Sequence, residues 1–194
     1  MRVKIIWGLL AILLLLSACQ RQHEFAGTEL SAPHPAPHIA LESVDGPVSL
    51  HDFKGRFTYV YFGYTFCPDI CPTTLATLKS VKEELGEDVG LMEVVMITVD
   101  PERDTAEKLA EYVSYFDDSF VGLTADKERI DEIGKPFGLY YEKHEGSEAT
   151  GYLVDHTAHV YLLDRASNTI VAYPHGTTAE QFLEDLEYLI KKGS

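Results

Sequence analysis

The sequence predicts an α/β sandwich with a parallel core and an antiparallel edge, and three observations lead there. Two nearly continuous apolar runs, Tyr59 to Phe62 and Val94 to Val99, read as interior strands covered on both faces. Each run hands over to a segment of helical periodicity, so βα crossover units are expected. The chain then closes with two short apolar runs and an amphipathic segment, which predict a terminal hairpin and helix.

In chain order, Ile39 to Leu50 alternates around Asp45-Gly46, predicting an N-terminal hairpin with a tight turn. Lys54-Gly55 turns the chain into a strand from about Phe57 to Gly63. The next helix places Leu75, Leu78, Val81 and Leu85 on one side and Lys79, Lys82 and Glu83 on the other. Asp100-Pro101 stops the second core strand. Asp104 with Glu107 marks a helix start, and Leu109, Tyr112, Val113 and Phe116 follow at helical spacing. Phe120 to Leu123 and Lys127 to Ile133 extend the pattern as a strand and a short helix. The polar stretch Glu142 to Gly151 predicts an exposed hairpin tip, placed before a strand that starts near His159. Val160 to Leu163 and Ile170 to Tyr173 are the closing strands, joined around Asp164 to Asn168. Thr177 and Glu180 open the last helix, which buries Phe182, Leu183, Leu186, Leu189 and Ile190. This order is that of a thioredoxin-like sandwich with an N-terminal hairpin and an inserted hairpin before the His-bearing strand.

At the N-terminus, Arg2 and Lys4 precede the apolar stretch Ile5 to Leu16, a length suited to a signal-peptide core rather than a membrane span. Leu16-Ser17-Ala18-Cys19 resembles the bacterial lipobox, so residues 1–18 are expected to be removed and Cys19 to carry lipid. Residues 19–38, with Pro33, Pro35 and Pro37 among small and polar residues, read as a flexible linker in which His23, His34 and His38 are merely solvated. Residues 39–194 then form one domain, large enough for a core without disulfide staples. Removing the leader takes away two basic side chains and no acid, leaving 14 basic and 31 acidic side chains, a balance of −17. Nucleic acid is excluded as a partner by that charge. The expected location is the extracytoplasmic face of a bacterial cell membrane.

Chemistry concentrates in Gly63-Tyr64-Thr65-Phe66-Cys67-Pro68-Asp69-Ile70-Cys71-Pro72, where two cysteines separated by three residues sit at a strand-to-helix junction. The first helical N–H groups and the positive end of the helix dipole favour thiolate there. Two thiolates on one turn can clamp a soft ion or close into a disulfide. A metal needs a further donor, and histidine is the usual one. Tyr152 to Thr157 precedes the strand near His159, where thiol oxidoreductases of this fold place a cis-proline; no proline lies between Gly151 and Leu163, and His156 stands there instead. His159, an odd number of residues away, is expected on the opposite face as a sheet histidine. His51, His144 and His175 are expected at the surface.

These residues carry a resemblance to the Sco/SenC family of copper-handling, thioredoxin-fold proteins of cytochrome c oxidase assembly. The motifs are the ten residues from Gly63 to Pro72, then Thr98-Val99-Asp100-Pro101-Glu102-Arg103-Asp104-Thr105, then Val154-Asp155-His156-Thr157. The resemblance spans Ile39 to the final helix. It implies copper, as Cu(I) or Cu(II), on Cys67, Cys71 and His156. It also implies a copper-bearing oxidase subunit as acceptor, and a thiol reductant or another copper carrier as a further partner. Soft thiolates suit Cu(I), and three donors fall short of the four that structural zinc normally takes. Asp69, Asp100 and Asp155 are candidates for supporting the ligands, Asp100 by accepting a hydrogen bond and Asp155 by orienting the His156 ring. Tyr64 is expected either to line the mouth of the site or to pack against it.

Three functions fit these residues: a metallochaperone delivering copper to the binuclear site of cytochrome c oxidase, an extracytoplasmic thiol:disulfide oxidoreductase reducing the cysteines of that site, and a thiol peroxidase. The three-residue spacer and the lost cis-proline argue against general disulfide exchange. A peroxidase has no need of His156.

Overall fold

Seven consecutive buried residues form the strand around which the rest is arranged in the computed structural model, which describes residues 23–146 and 151–193. The expected leader, residues 1–18, and Cys19 lie outside the described residues. This strand, β4 (Phe57–Gly63), pairs in parallel with β5 (Met92–Thr98), which pairs in parallel with β6 (Val121–Leu123). On its other side β9 (Val160–Leu163) runs antiparallel, followed by β10 (Asn168–Tyr173) and β1 (Thr28–Pro35). The six-stranded order is β1-β10-β9-β4-β5-β6. Two hairpins stand outside it, β2 (Leu41–Ser43) with β3 (Gly46–Val48), and β7 (Tyr141–Glu145) with β8 (Tyr152–His156).

Alternation along β4 decides what each layer meets. Tyr59 and Tyr61 turn to one face, where Tyr59 packs edge-on against Phe182 and Tyr61 reaches Cys71. Phe62 turns to the other, against Phe137 and Tyr161. Helix α1 (Ile70–Glu84) buries Leu75, Leu78 and Val81 as the sequence pattern predicts. Helix α2 (Ala106–Ser114) follows β5, and Lys82 of α1 reaches Asp117 just beyond α2 at 2.9 Å. Helix α3 (Lys127–Gly134) follows β6, and α4 (Ala179–Lys192) packs beside α1. The mixed sheet with its helices is the thioredoxin-like sandwich expected from the element order.

Three expectations are corrected. The supposed flexible linker is structured from residue 23 onward: β1 covers the otherwise bare edge of β10, and Pro33 and Pro35 are tolerated because an edge strand needs only one side of its ladder. His23 Nε2 donates to the buried Asp185 carboxylate at 2.6 Å and its ring stacks on Tyr188, while His38 stacks on His51, whose Nε2 meets the Ala36 carbonyl at 2.8 Å. The helix starts shift by one residue: Thr105 caps α2 in place of Asp104, and Thr178 with Gln181 forms the capping box of α4 in place of Thr177 with Glu180. His156 is the last residue of β8 rather than part of a loop before β9.

Gly122 of β6 lies directly under α2. A Cβ there would stand 2.6 Å from Leu109 Cβ and 2.9 Å from its carbonyl carbon, so helix and strand cannot keep their spacing. Gly122→Ala is therefore expected to destabilise the fold by about 1–3 kcal/mol, read as a lowered urea midpoint.

Candidate metal centre

The site is assembled where three segments converge at the C-terminal end of the parallel strands. The first is the turn from β4 into α1. Cys67 lies in the turn, half-buried, and Cys71 lies in the first turn of α1, fully buried. Gly63 gives Cys71 its space, since a Cβ on Gly63 would stand 3.0 Å from Cys71 Sγ and 2.7 Å from the Tyr61 ring. The second segment is the β5–α2 loop with Asp100, Arg103 and Asp104. The third is β8, which ends in His156.

Cys67, Cys71 and His156 come together, with their donor atoms all within 4.8 Å of one another. Cys71 Sγ stands 3.7 Å from His156 Nε2. His156 Nδ1 is directed to the Thr157 carbonyl at 3.1 Å, which assigns the proton to Nδ1 and leaves Nε2 facing the sulfurs as a donor. A first-row ion bound at about 2.0–2.3 Å from nitrogen and sulfur fits between donors at this separation.

The two thiols are driven apart in acidity. The Cys71 S–H and the backbone N–H groups of Asp69 and Cys71 stabilise negative charge on Cys67, the Cys71 hydrogen bond most, and outweigh its partial burial; its pKa falls to about 3. Cys71 moves the opposite way, because burial and the adjacent Cys67 charge oppose a second thiolate. The metal-free pair thus carries one negative charge at neutral pH, on the more exposed sulfur.

The three aspartates separate into different roles. Asp69 precedes α1 with an exposed side chain that makes no capping bond, and it acts through its backbone N–H on Cys67. Asp155 points away from the site and meets His144 at 2.7 Å, so it does not orient His156; neighbouring side chains on a strand diverge. Asp100 is fully buried and reaches neither sulfur: it accepts from the Tyr152 hydroxyl at 2.6 Å and from Arg103 Nε. Arg103 in turn stacks on Tyr152 at 3.6 Å and on Phe66 at 4.5 Å, and its Nη1 donates to the Tyr152 carbonyl at 3.0 Å. Tyr64 is buried rather than at the mouth, and its hydroxyl accepts the Val154 N–H at 3.3 Å. His159 is exposed, lies before β9 rather than in it, and is away from the cysteines. His51 is half-buried rather than a surface residue.

A family model described as SCO1/SenC matches residues 31–191. The chain belongs to the SCO1/SenC family. The Bos taurus mitochondrial protein SCO2 homolog is 38% identical over 137 residues, 70% of this chain and 52% of that protein. The human mitochondrial protein SCO1 homolog is 36% identical over 138 residues, 65% of this chain and 46% of that protein. The chain thus spans about half the length of the mitochondrial relatives it matches. Among solved structures, apo Sco1 from Thermus thermophilus is 35% identical with a TM-score of 0.77, covering 87% of this chain and 99% of that one. The Arabidopsis thaliana ScoI structure with copper bound is 32% identical with a TM-score of 0.74, covering 83% of this chain and 98% of that one.

In this SCO1/SenC chain, sequence reasoning missed two residues at the site. The Tyr61 hydroxyl donates to Cys71 Sγ at 3.3 Å; only the alternation from Tyr61 to Gly63 hinted that its ring faces α1. Asp104, read as a helix cap, is fully buried and accepts from Thr65 N–H at 3.0 Å, Thr65 Oγ1 at 2.5 Å and Thr98 Oγ1 at 2.7 Å. It ties the cysteine turn to the end of β5. Asp104→Ala strands those donors and is expected to cost about 2–4 kcal/mol, with the Thr65 amide exchanging faster in hydrogen-exchange measurements.

Because Cys67 is already ionised in the metal-free protein, its alkylation by iodoacetamide should proceed at a nearly constant rate from about pH 5 to pH 8. Peptide mapping after limited labelling should find the adduct on Cys67. A rate that climbs tenfold per pH unit across that range would contradict the assignment of the thiolate.

Proposed function

We propose that this chain binds copper through Cys67, Cys71 and His156 and hands it to the binuclear copper site of cytochrome c oxidase, working from a lipid anchor on Cys19 at the extracytoplasmic face of a bacterial membrane. The observation that carries this reading is the convergence of two sulfurs and one imidazole nitrogen within 4.8 Å at the end of a rigid parallel sheet. The donor set suits copper: thiolates stabilise Cu(I), and imidazole extends the site to Cu(II). A copper-bound relative at 32% identity adds support, and the family resemblance supplies the oxidase as destination. Three ligands leave a position open to an incoming donor from the acceptor, which suits transfer better than storage. Among the described residues no helix is long and apolar enough to cross a membrane.

A second reading draws on the split acidity of the pair. The Cys67 thiolate attacks a partner disulfide and expels one partner sulfur as thiolate. Cys71, on losing its proton, attacks Cys67 Sγ and releases the second partner sulfur. The partner gains two electrons and a Cys67–Cys71 disulfide forms. Reduction of a copper-site peptide disulfide by the metal-free protein would favour it, provided Cys71→Ser halts the reaction at the mixed disulfide.

Copper titration of the full chain tests the first reading. A thiolate-to-copper charge-transfer band should grow to one equivalent, shift and weaken in His156→Ala, and vanish in Cys67→Ser or Cys71→Ser. Since Cys71 must lose its proton to ligate, apparent affinity should rise about tenfold per pH unit below the pKa of that thiol. No band, or a band unchanged in His156→Ala, would sink the reading.

A further inference from the structure

The hairpin that carries His156 has one edge occupied and one edge bare. The Thr157 N–H bond to the Tyr140 carbonyl (2.9 Å) and the Gly146 N–H bond to the Gly151 carbonyl (2.8 Å) set the phase of its ladder. In an antiparallel pair, hydrogen-bonded and non-hydrogen-bonded positions alternate, so Glu142 and His144 direct their backbone groups at β8, while Tyr141 and Lys143 direct theirs outward. On β8 two of the outward groups are taken: Val154 N–H donates to Tyr64, and the Tyr152 carbonyl accepts from Arg103. Among the described residues, nothing bonds to the outward backbone groups of Tyr141 and Lys143.

That bare edge borders a groove of about 640 Å³, separate from the three metal ligands. Four consecutive residues, Tyr140 to Lys143, line its wall, as happens when a strand meets a groove edge-on rather than through one face. Val99, Pro101, Ala125 and Leu139 supply apolar surface inside it. Glu102, Asp126, Asp131 and Glu142 supply the carboxylates. The groove's two ammonium groups are already engaged, Lys127 with Asp131 at 2.7 Å and Lys143 with Glu102 at 2.7 Å, and Arg129 beside the groove lies 3.7 Å from Asp126, which leaves Glu142 as the carboxylate in excess.

We propose that this groove docks an extended segment of a partner protein, which adds as a strand to β7, seats an apolar side chain in the groove and sets basic side chains against the rim. An extended polypeptide uses the unpaired N–H and C=O groups as no small apolar molecule would. The acidic rim, on a chain of net charge −15, selects a basic segment and disfavours a second copy of this chain. Tyr141 pairs with His156 across the hairpin, so a docked partner lies beside the metal ligands. That it would be the copper acceptor rests on the function proposed above; the docking itself does not.

The test uses the full chain without copper, so that failure of metal binding and failure of docking are read separately. The probe is a fluorescent peptide of alternating valine and lysine, followed by anisotropy and by amide shifts. The expected result is saturable binding that weakens with salt, shifts centred on Tyr141 and Lys143, and about tenfold loss when alternate peptide amides are N-methylated. Lys143→Pro removes an outward N–H together with the ammonium that pairs with Glu102, and should lose about tenfold relative to Lys143→Ala, which removes the ammonium alone. Ala125→Trp, which fills the groove without touching the hairpin ladder, should lose about tenfold relative to the unaltered chain and serves if the proline disturbs β7. The proposal is overturned by no saturable binding, by equal binding of a valine–glutamate peptide, or by undiminished affinity in both Lys143→Pro and Ala125→Trp. Concentration-dependent dimerisation abolished by Ala125→Trp, without peptide binding, would assign the groove to self-association instead and overturn it as well.

Discussion

The guanidinium of Arg103 holds together the three segments from which the metal centre is made. It pairs with the buried Asp100 on its own loop, lies against Phe66 of the cysteine turn, and both stacks on Tyr152 and donates to its carbonyl on β8. A planar, permanently charged fork can do all of this at once; an ammonium group cannot. The arrangement is costly to break, because removing the cation leaves the Asp100 carboxylate in a fully buried position with its main counter-charge gone. With the Tyr64 bond to Val154 and the pairing with β7, this holds β8 where His156 reaches the sulfurs.

A second constraint acts within the cysteine turn. Asp104 receives three donors from Thr65 and Thr98, which fixes the turn against the end of β5. The turn in turn presents backbone N–H groups to Cys67, while α1 and Tyr61 enclose Cys71. The two sulfurs therefore differ in charge for structural reasons, one sited near amide dipoles and partly open, the other sealed beneath them. Such a pair offers one sulfur ready to meet a ligand or a disulfide and a second that engages only after losing a proton. Both proposed activities begin from that same asymmetry.

Much of the fold was legible because burial on both faces writes itself as unbroken apolar runs. Tyr59 to Phe62 and Val94 to Val99 could be little else, and the helical spacing of Leu75, Leu78 and Val81 followed directly. The N-terminal strand was hidden for the opposite reason. An edge strand with Pro33 and Pro35 has only half a ladder to satisfy and mostly exposed side chains, so its composition is that of a tether. Helix starts slipped by a residue where two neighbouring Thr or Asp side chains could each cap, since the choice depends on which one the tertiary structure needs elsewhere. Asp104 is the clear instance.

Sequence alone determined the chemistry of this protein: two cysteines at a strand-to-helix junction, and His156 where the fold would otherwise carry a proline. Those identities bound the donor set, because soft sulfur and imidazole select their ions by electronic character. Tertiary structure decided everything that depends on distance and burial. It brought His156 to 3.7 Å from Cys71, turned Asp155 outward, made Asp100 a counter-ion for Arg103 and gave the negative charge to Cys67. Among the described residues it also left one edge of β7 bare beside the metal ligands. The division has a physical cause: residue type sets what a side chain can do, while long-range packing sets which partner it meets and how much water remains around it.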